Sequence, residues 1–292
     1  VVRAFLCLFF VACNLQALPE PYVVSDLRVI AVVAEPPDVA PGETARLSVY
    51  FYDPDGGGRP VNVTFYQCDE PGEVGCLVEG SPSVILGEGV ATQIGTDLHR
   101  YDADVLVEAS ALGGVDVLGQ FYGIERTFVF RGDNGVRVID GLKRLKITAA
   151  MQPKNRNPSF NGFMIELLGR DLGDDRSVTR LARDQVYVMR PLFDPAVLEA
   201  YTVLDFSQQP LNLVEEASFA WSCSPSCDID QRVTFGQDIV SIIPPLLEAE
   251  NNRFAIHVLM RDGRGGQALL VREFELVPET VNLSDEAAGA NP

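Results

Sequence analysis

The sequence has 292 residues, 47% of them hydrophobic, with 41 acidic side chains against 23 lysines and arginines and a formal net charge of −18. This length exceeds one ordinary domain and fits two. The charge argues against nucleic acid as a partner, because phosphate neutralisation needs clustered Lys and Arg, and it disfavours direct adhesion to anionic lipid heads.

The chain opens "VVRAFLCLFFVACNLQ", with Arg3 before an apolar run over 4–13 and then polar Asn14. Ten apolar residues are about half of a bilayer-spanning helix, so the run predicts a signal-peptide core over 1–12 and not an anchor helix. Its end, Phe10-Val11-Ala12-Cys13, resembles the bacterial lipobox, although Phe10 stands where leucine is usual. That resemblance implies a lipid on Cys13, contributing about 0.8 kcal/mol per buried CH₂ to membrane attachment. Asn14, in place of the Asp that favours inner-membrane retention, implies an outer-membrane lipoprotein facing the periplasm or the cell surface. A secreted chain cut near Ala12 or Ala17, or an uncleaved stub, is the alternative. Residues 13–25, with Pro19 and Pro21, read as the lipidated cysteine and an extended tether.

Beyond the tether, short β-rich runs alternate with Gly, Pro and Asp. In "TARLSVYFYD" (44–53), Ala45, Leu47, Val49 and Phe51 alternate with Thr44, Arg46, Ser48 and Tyr50, the period of a half-buried strand. "LRVIAVVAE" (27–35) and "VNVTFYQC" (61–68) are further strands. After an irregular stretch, "ADVLVEASAL" (103–112) and "GIERTFVFRG" (123–132) read as a closing hairpin. "RGDNGVR" (131–137) collects strong turn formers and predicts the boundary between a domain over 26–132 and a second over 136–278. In the second half Asp194 before Pro195 predicts the N-cap of a short helical turn. "NRFAIHVLMRDGRGGQALLVREFEL" reads as strand, Gly-rich turn and returning strand, and 279–292 as a flexible tail. The fold class expected is all-β, two tandem β-sandwiches.

Each half carries an aromatic-x-Cys at a strand end, Tyr66-Gln67-Cys68 and Trp221-Ser222-Cys223, followed by Cys76 or Cys227. We read this as a degenerate repeat of one sandwich. With the lipobox, the "LRVIAVVAEPPDVAPGETARLSVYFYDPDG" opening, the "NRNP" loop (155–158) and the "RDGRGG" hairpin (261–266), the chain resembles bacterial tandem immunoglobulin-like envelope lipoproteins. The resemblance implies fold and address and supplies no catalytic residues.

Four cysteines outside the leader allow three pairings. An oxidising compartment and separate domains favour local disulfides, Cys68 with Cys76 and Cys223 with Cys227. Zinc fits less well, since Cys68-x₇-Cys76 lacks ligand spacing and neither histidine lies near a pair. A thioredoxin-like couple wants C-x-x-C at a helix start, where Cys223-x-x-x-Cys227 offers Pro225 and Ser226 in a turn.

Motifs for catalysis are absent from the sequence: there is no G-x-S-x-G elbow, H-E-x-x-H helix or phosphate loop. His257 is expected at the surface or between domains, and His99 in a polar loop beside Arg100 and Asp102. "DPDGGG" offers Asp53 and Asp55 as a calcium candidate, against ordinary turn chemistry; position 62 is Asn where an EF-hand needs Glu. The reading is therefore a non-enzymatic, membrane-anchored lipoprotein without cofactor beyond its lipid, displaying sandwiches to a protein partner. One rival is a carbohydrate-binding or calcium-dependent adhesion module. The other is an enzyme whose Asp, His and Arg converge in one pocket.

Overall fold

The structure, a computed structural model, describes residues 22–68, 83–149, 154–204, 207–245 and 252–278. The first half contains β1 (Arg28–Glu35), β2 (Asp38–Val39), β3 (Thr44–Tyr52), β4 (Asn62–Cys68), β5 (Ser83–Val90), β6 (Thr92–Gln93), β7 (Leu98–Leu106), α1 (Val117–Tyr122), β8 (Ile124–Asp133) and β9 (Val138–Ile147). These strands form a four-stranded sheet, β1-β3-β7-β6, and a five-stranded sheet, β2-β9-β8-β4-β5. The alternation in β3 works as expected: Ala45, Leu47, Val49 and Phe51 are all buried in the core between the sheets. Across from them, Phe65 of β4 stacks on Phe130 of β8 with ring centroids 4.5 Å apart. Aromatic pairs of this kind stabilise a core beyond their area alone.

The second half contains β10 (Gly162–Leu167), β11 (Arg170–Asp174), β12 (Arg180–Ala182), β13 (Tyr187–Leu192), β14 (Ala200–Leu204), β15 (Pro210–Val214), β16 (Ser218–Ser224), β17 (Asp228–Ile229), β18 (Val233–Phe235), β19 (Val240–Ile243), β20 (Arg253–Arg261) and β21 (Gln267–Val277). Its two five-stranded sheets run β11-β10-β13-β19-β17 and β12-β21-β20-β16-β18, with β14–β15 as a separate hairpin. Trp221 lies in the core against Phe163, ring centroids 5.7 Å apart, and its Nε1 donates to Thr234 Oγ1 at 3.0 Å. The expected helical turn is a 3-10 turn, Pro195–Val197, with Asp194 as N-cap accepting from the Ala196 amide. The chain is thus all-β, two tandem sandwiches, each with its own apolar core. No helix among the described residues is long and apolar enough to cross a membrane.

Several expectations are corrected. The 131–137 turn is not a boundary: β8 and β9 pair antiparallel across it, from Asp133↔Val138 to Ile124↔Ile147. The first core therefore includes Leu145 and Ile147, and the passage between sandwiches falls between β9 and β10. A hairpin turn and a linker draw on the same Gly, Asn and Asp chemistry, so turn formers alone could not separate them. Residues 103–112 and 123–132 do not form a closing hairpin either, because β7 pairs with β3 while β8 pairs with β4 and β9 in the opposite sheet. The stretch taken as irregular contains β5. The end of the expected tether is also built in: Cys223 donates its amide to Tyr22 O and accepts from the Val24 amide, both at 2.8 Å.

The sandwiches meet along a joint. Val24, Tyr52 and Ala255 are buried together there, with Ile30, Leu98 and Val271 packed against them. Polar latches flank this cluster. Lys143 Nζ of β9 donates to Gly265 O in the β20–β21 turn at 3.0 Å. Asn157, in the "NRNP" loop, donates to Ala34 O of β1 at 2.7 Å and accepts from the Gln267 amide of β21 at 2.8 Å. One side chain so fixed to both halves turns the passage between them into part of the joint.

Candidate functional site

β20 runs through the middle of its sheet between β16 and β21 and is buried from Phe254 through Met260. Phe254, Ile256, Val258 and Met260 enter the core, and the other face, Ala255, His257 and Leu259, turns towards the first sandwich. His257, expected at the surface or between domains, lies in the joint edge-on to Tyr52, ring centroids 4.3 Å apart. Its Nδ1 is 3.3 Å from Ser222 Oγ on neighbouring β16, and its Nε2 is buried with no hydrogen-bond partner. This pair opens on a groove of about 270 Å³ lined also by Tyr22, Arg28, Arg232 and Arg261. A Ser–His pair invites comparison with a nucleophile and base, but burial drives the His257 pKa down to about 3. A base must accept a proton near working pH and be oriented by a third group; this imidazole resists protonation, and among the described residues no carboxylate orients it.

A second set of groups gathers beside the joint. The β20–β21 turn is held by Asp262 Oδ1, which accepts the amides of Arg264 at 2.7 Å and of Gly265 and Gly266 at 3.0 Å each. Gly263 and Gly265 take positive φ, 82° and 114°, which the turn requires and side chains other than glycine disfavour. Arg264 is thereby aimed at three acids: Glu215 at 2.9 Å, Asp38 at 3.8 Å and Glu199 at 3.9 Å. Its guanidinium also sits 4.7 Å over the Tyr201 ring. Burial raises the pKa of Asp38 against the opposing pull of Lys146 and Arg264. Burial likewise raises that of Glu215, which accepts the Glu199 amide at 2.9 Å.

Around Arg264 and Asp38 opens a cleft of about 550 Å³ with walls from both sandwiches. α1 contributes Phe121 and Tyr122, β9 contributes Lys146, and β14 contributes Tyr201 and Thr202. The Tyr122 hydroxyl donates to Leu204 O at 3.0 Å and closes the cleft across the joint. Asp and Arg distant in sequence do converge here, but neither histidine joins them. His99 lies in β7, buried and not in a polar loop, and burial lowers its pKa against the opposing pull of Asp53.

The third surface is the sheet edge formed by β5. It pairs with β4 on one side and is terminal in its sheet. Val84, Ile85, Leu86 and Val90 are 50%, 62%, 45% and 57% exposed. A register shift between Phe65 and Tyr66 leaves Leu86 unpaired as a bulge. On the inner side Gly87 and Gly89 lie against Tyr101 of β7, where a side chain at Gly89 would collide with the ring. The glycines let an aromatic fill the core edge while the apolar side chains of β5 stay outside.

Of the sequence-predicted residues, Cys223 and Cys227 form a disulfide with Cα atoms 6.1 Å apart. Cys68 is disulfide-bonded; Cys76, its expected partner, and the lipidation candidate Cys13 lie outside the described residues, as does the 279–292 tail. The two aromatic-x-Cys pieces differ: Trp221 is in the main core, whereas Tyr66 packs with Cys68 and Val129 in a small cluster of its own. Asp53 is buried and accepts from Asn134 Nδ2 at 2.8 Å, clasping the 53–58 turn to the 131–137 turn, while Asp55 is exposed. Asp53 thus holds two turns together; among the described residues no three His, Cys, Asp or Glu side chains gather as a metal site. The β5 edge was missed because glycines interrupt its alternation. The cleft was missed because its residues span positions 38 to 264.

No family model and no curated protein matches the chain. Among solved structures, a Salmonella alpha-2-macroglobulin variant is 10% identical at a TM-score of 0.30, covering 87% of this chain and 16% of that one. The chain thus spans about a sixth of that macroglobulin's length. The native conformation of Escherichia coli alpha-2-macroglobulin is 7% identical at 0.29, covering 89% of this chain and 17% of that chain. The N-terminal Ig1-2 module of the Drosophila receptor protein tyrosine phosphatase DLAR is 10% identical at 0.26, covering 86% and 99%. The assignment of two sandwiches rests on the strand pairing and the two cores.

Proposed function

We propose that this chain is a non-enzymatic envelope lipoprotein, tethered at Cys13, whose joined sandwiches present the β5 edge to a protein partner. The observation that carries the reading is β5 itself, a terminal strand with four exposed apolar side chains. Among the described residues no strand pairs with its outer side, and edges of this kind are ordinarily blunted by charge, proline or a covering loop. Here Glu88 is the single charge. The occupant is an extended apolar segment carrying basic residues, because backbone pairing supplies affinity in strand addition and a chain of net charge −18 attracts cations. The joint holds the two halves as one presenting unit.

A photo-crosslinker placed at Glu88 in the membrane-anchored protein tests this. The expected result is a discrete protein adduct that Ile85→Lys abolishes, with no adduct from a crosslinker at Arg170 on the β11 edge. Equal capture from both positions, or capture indifferent to Ile85→Lys, would contradict the reading. For the anchor, Cys13→Ser is expected to release the protein from the membrane fraction, and unchanged fractionation would refute it.

A further inference from the structure

We propose that the cleft between the sandwiches, around Asp38, Lys146, Tyr201 and Arg264, binds a neutral saccharide. This goes beyond the strand-docking reading and does not rest on it. The cleft, about 550 Å³, falls within the size of small-ligand pockets, roughly 300–1,000 Å³, and lies where two domains meet, a preferred place for such sites. Three features of its lining select the ligand class.

First, the charges oppose one another at close range. Lys154 pairs with Glu43, Glu125 lies 3.6 Å from Arg144, Lys146 acts on Asp38, and Arg264 is shared among Asp38, Glu199 and Glu215. With cations and acids interleaved in this way, the lining offers little net field to capture an anion or a cation. It offers fixed donors and acceptors side by side, which suits a molecule rich in hydroxyls, each able both to donate and to accept.

Second, an acceptor at the floor is unmet. Asp38 is 3% exposed, its carboxyl takes the Asn155 backbone amide, and its Oδ1 is buried without a hydrogen-bond partner. Buried polar oxygens are nearly always satisfied, and one left over at a cleft calls for a donor brought from outside. A hydroxyl provides that donor without adding charge beside Arg264.

Third, the walls carry aromatic rings next to these polar groups. Phe121 and Tyr122 pack edge to face at 5.2 Å, and Tyr201 lines the cleft from the other sandwich, one face covered by Arg264. Rings give the apolar C–H face of a pyranose a surface to rest on, while Lys146 and Asp38 address its hydroxyls.

The test uses the whole chain and isothermal titration with cellotriose, chitotriose and maltotriose, with sodium phosphate and choline chloride as charged controls. At least one trisaccharide is expected to bind with millimolar or better affinity. Lys146→Ala and Tyr201→Ala are each expected to weaken it tenfold or more, and Ile85→Lys to leave it unchanged. Asp38→Asn is a third variant, read only where its melting temperature stays near that of the parent. The inference is overturned if none of the three sugars binds at millimolar concentration. It is equally overturned if phosphate or choline competes for the site more tightly than the sugar, or if binding survives both Lys146→Ala and Tyr201→Ala. Loss of crosslinking from the β5 edge with saccharide binding intact would sink the docking reading alone.

Discussion

β20 and β5 are both apolar strands of similar length, and their fates are opposite. β20 is central in its sheet, with one face in the second core and the other in the joint. β5 is terminal, with four apolar side chains open to water. The difference lies in position within the sheet and in what packs on the outer face, not in composition. An apolar strand covered on both faces holds the molecule together, and one left at an edge is available to something else.

Substitution separates the two most sharply. Ile256→Ala in β20 is expected to cost about 2–5 kcal/mol, through lost burial and the cavity left behind. Thermal or denaturant unfolding measures it, and a cost under about 1 kcal/mol would mean the β20 core face is not packed as described.

Acid comes next. His257 is held at about 3 against an ordinary 6.5 by burial. The unfolded chain therefore binds the proton first as pH falls, and the stability conferred by the neutral, buried ring is lost from about pH 6.5 down towards pH 3. The slope is worth about 1.4 kcal/mol per pH unit at most. His257→Leu is expected to flatten the unfolding profile in that window; an unchanged slope would show that the joint does not bury this ring.

The Cys223–Cys227 bridge closes a small loop at the end of β16, and the chain-entropy estimate gives about 2 kcal/mol for it. Reducing agent is expected to lower the melting temperature, and Cys227→Ser to remove part of that response, leaving the share due to Cys68. Chelator alone is expected to leave the melting temperature unchanged.

Lys143 gives an effect of alkaline sign. Burial lowers its pKa from 10.5 to about 8. Between those values the unfolded chain keeps a proton that the folded chain has shed, so stability rises with pH across the window. Lys143→Met should abolish that rise while losing the bond to Gly265. Smallest is Ile85→Ala in β5, expected to change stability by no more than about 0.5 kcal/mol.

Much of this architecture was legible in the sequence where local pattern and final position agree. The alternation of Ala45, Leu47, Val49 and Phe51 was enough to place β3, because one face is buried and the other is not. Asp194 before Pro195 and the Gly-rich turn between β20 and β21 are local chemistry and could be read directly. What could not be read depends on distant partners. Whether 131–137 joins two strands or two domains is decided by Leu145 and Ile147 reaching the first core. His257 could be expected at the surface or between domains, but nothing local showed that Tyr52 would cover it. β5 was hidden by Gly87 and Gly89, whose missing side chains make room for Tyr101. The cleft needs both sandwiches and the joint between them, so no stretch of sequence contains it.

The availability of β5 is tested most directly by amide hydrogen exchange on the free chain. Exchange reports local opening and exposure strand by strand. The account predicts that the β5 amides facing away from β4 exchange fast, while the β20 amides are protected nearly to the limit set by global unfolding. Protection of β5 equal to that of β20 in the free chain would mean that the edge is already covered, and would contradict its role as the presenting surface.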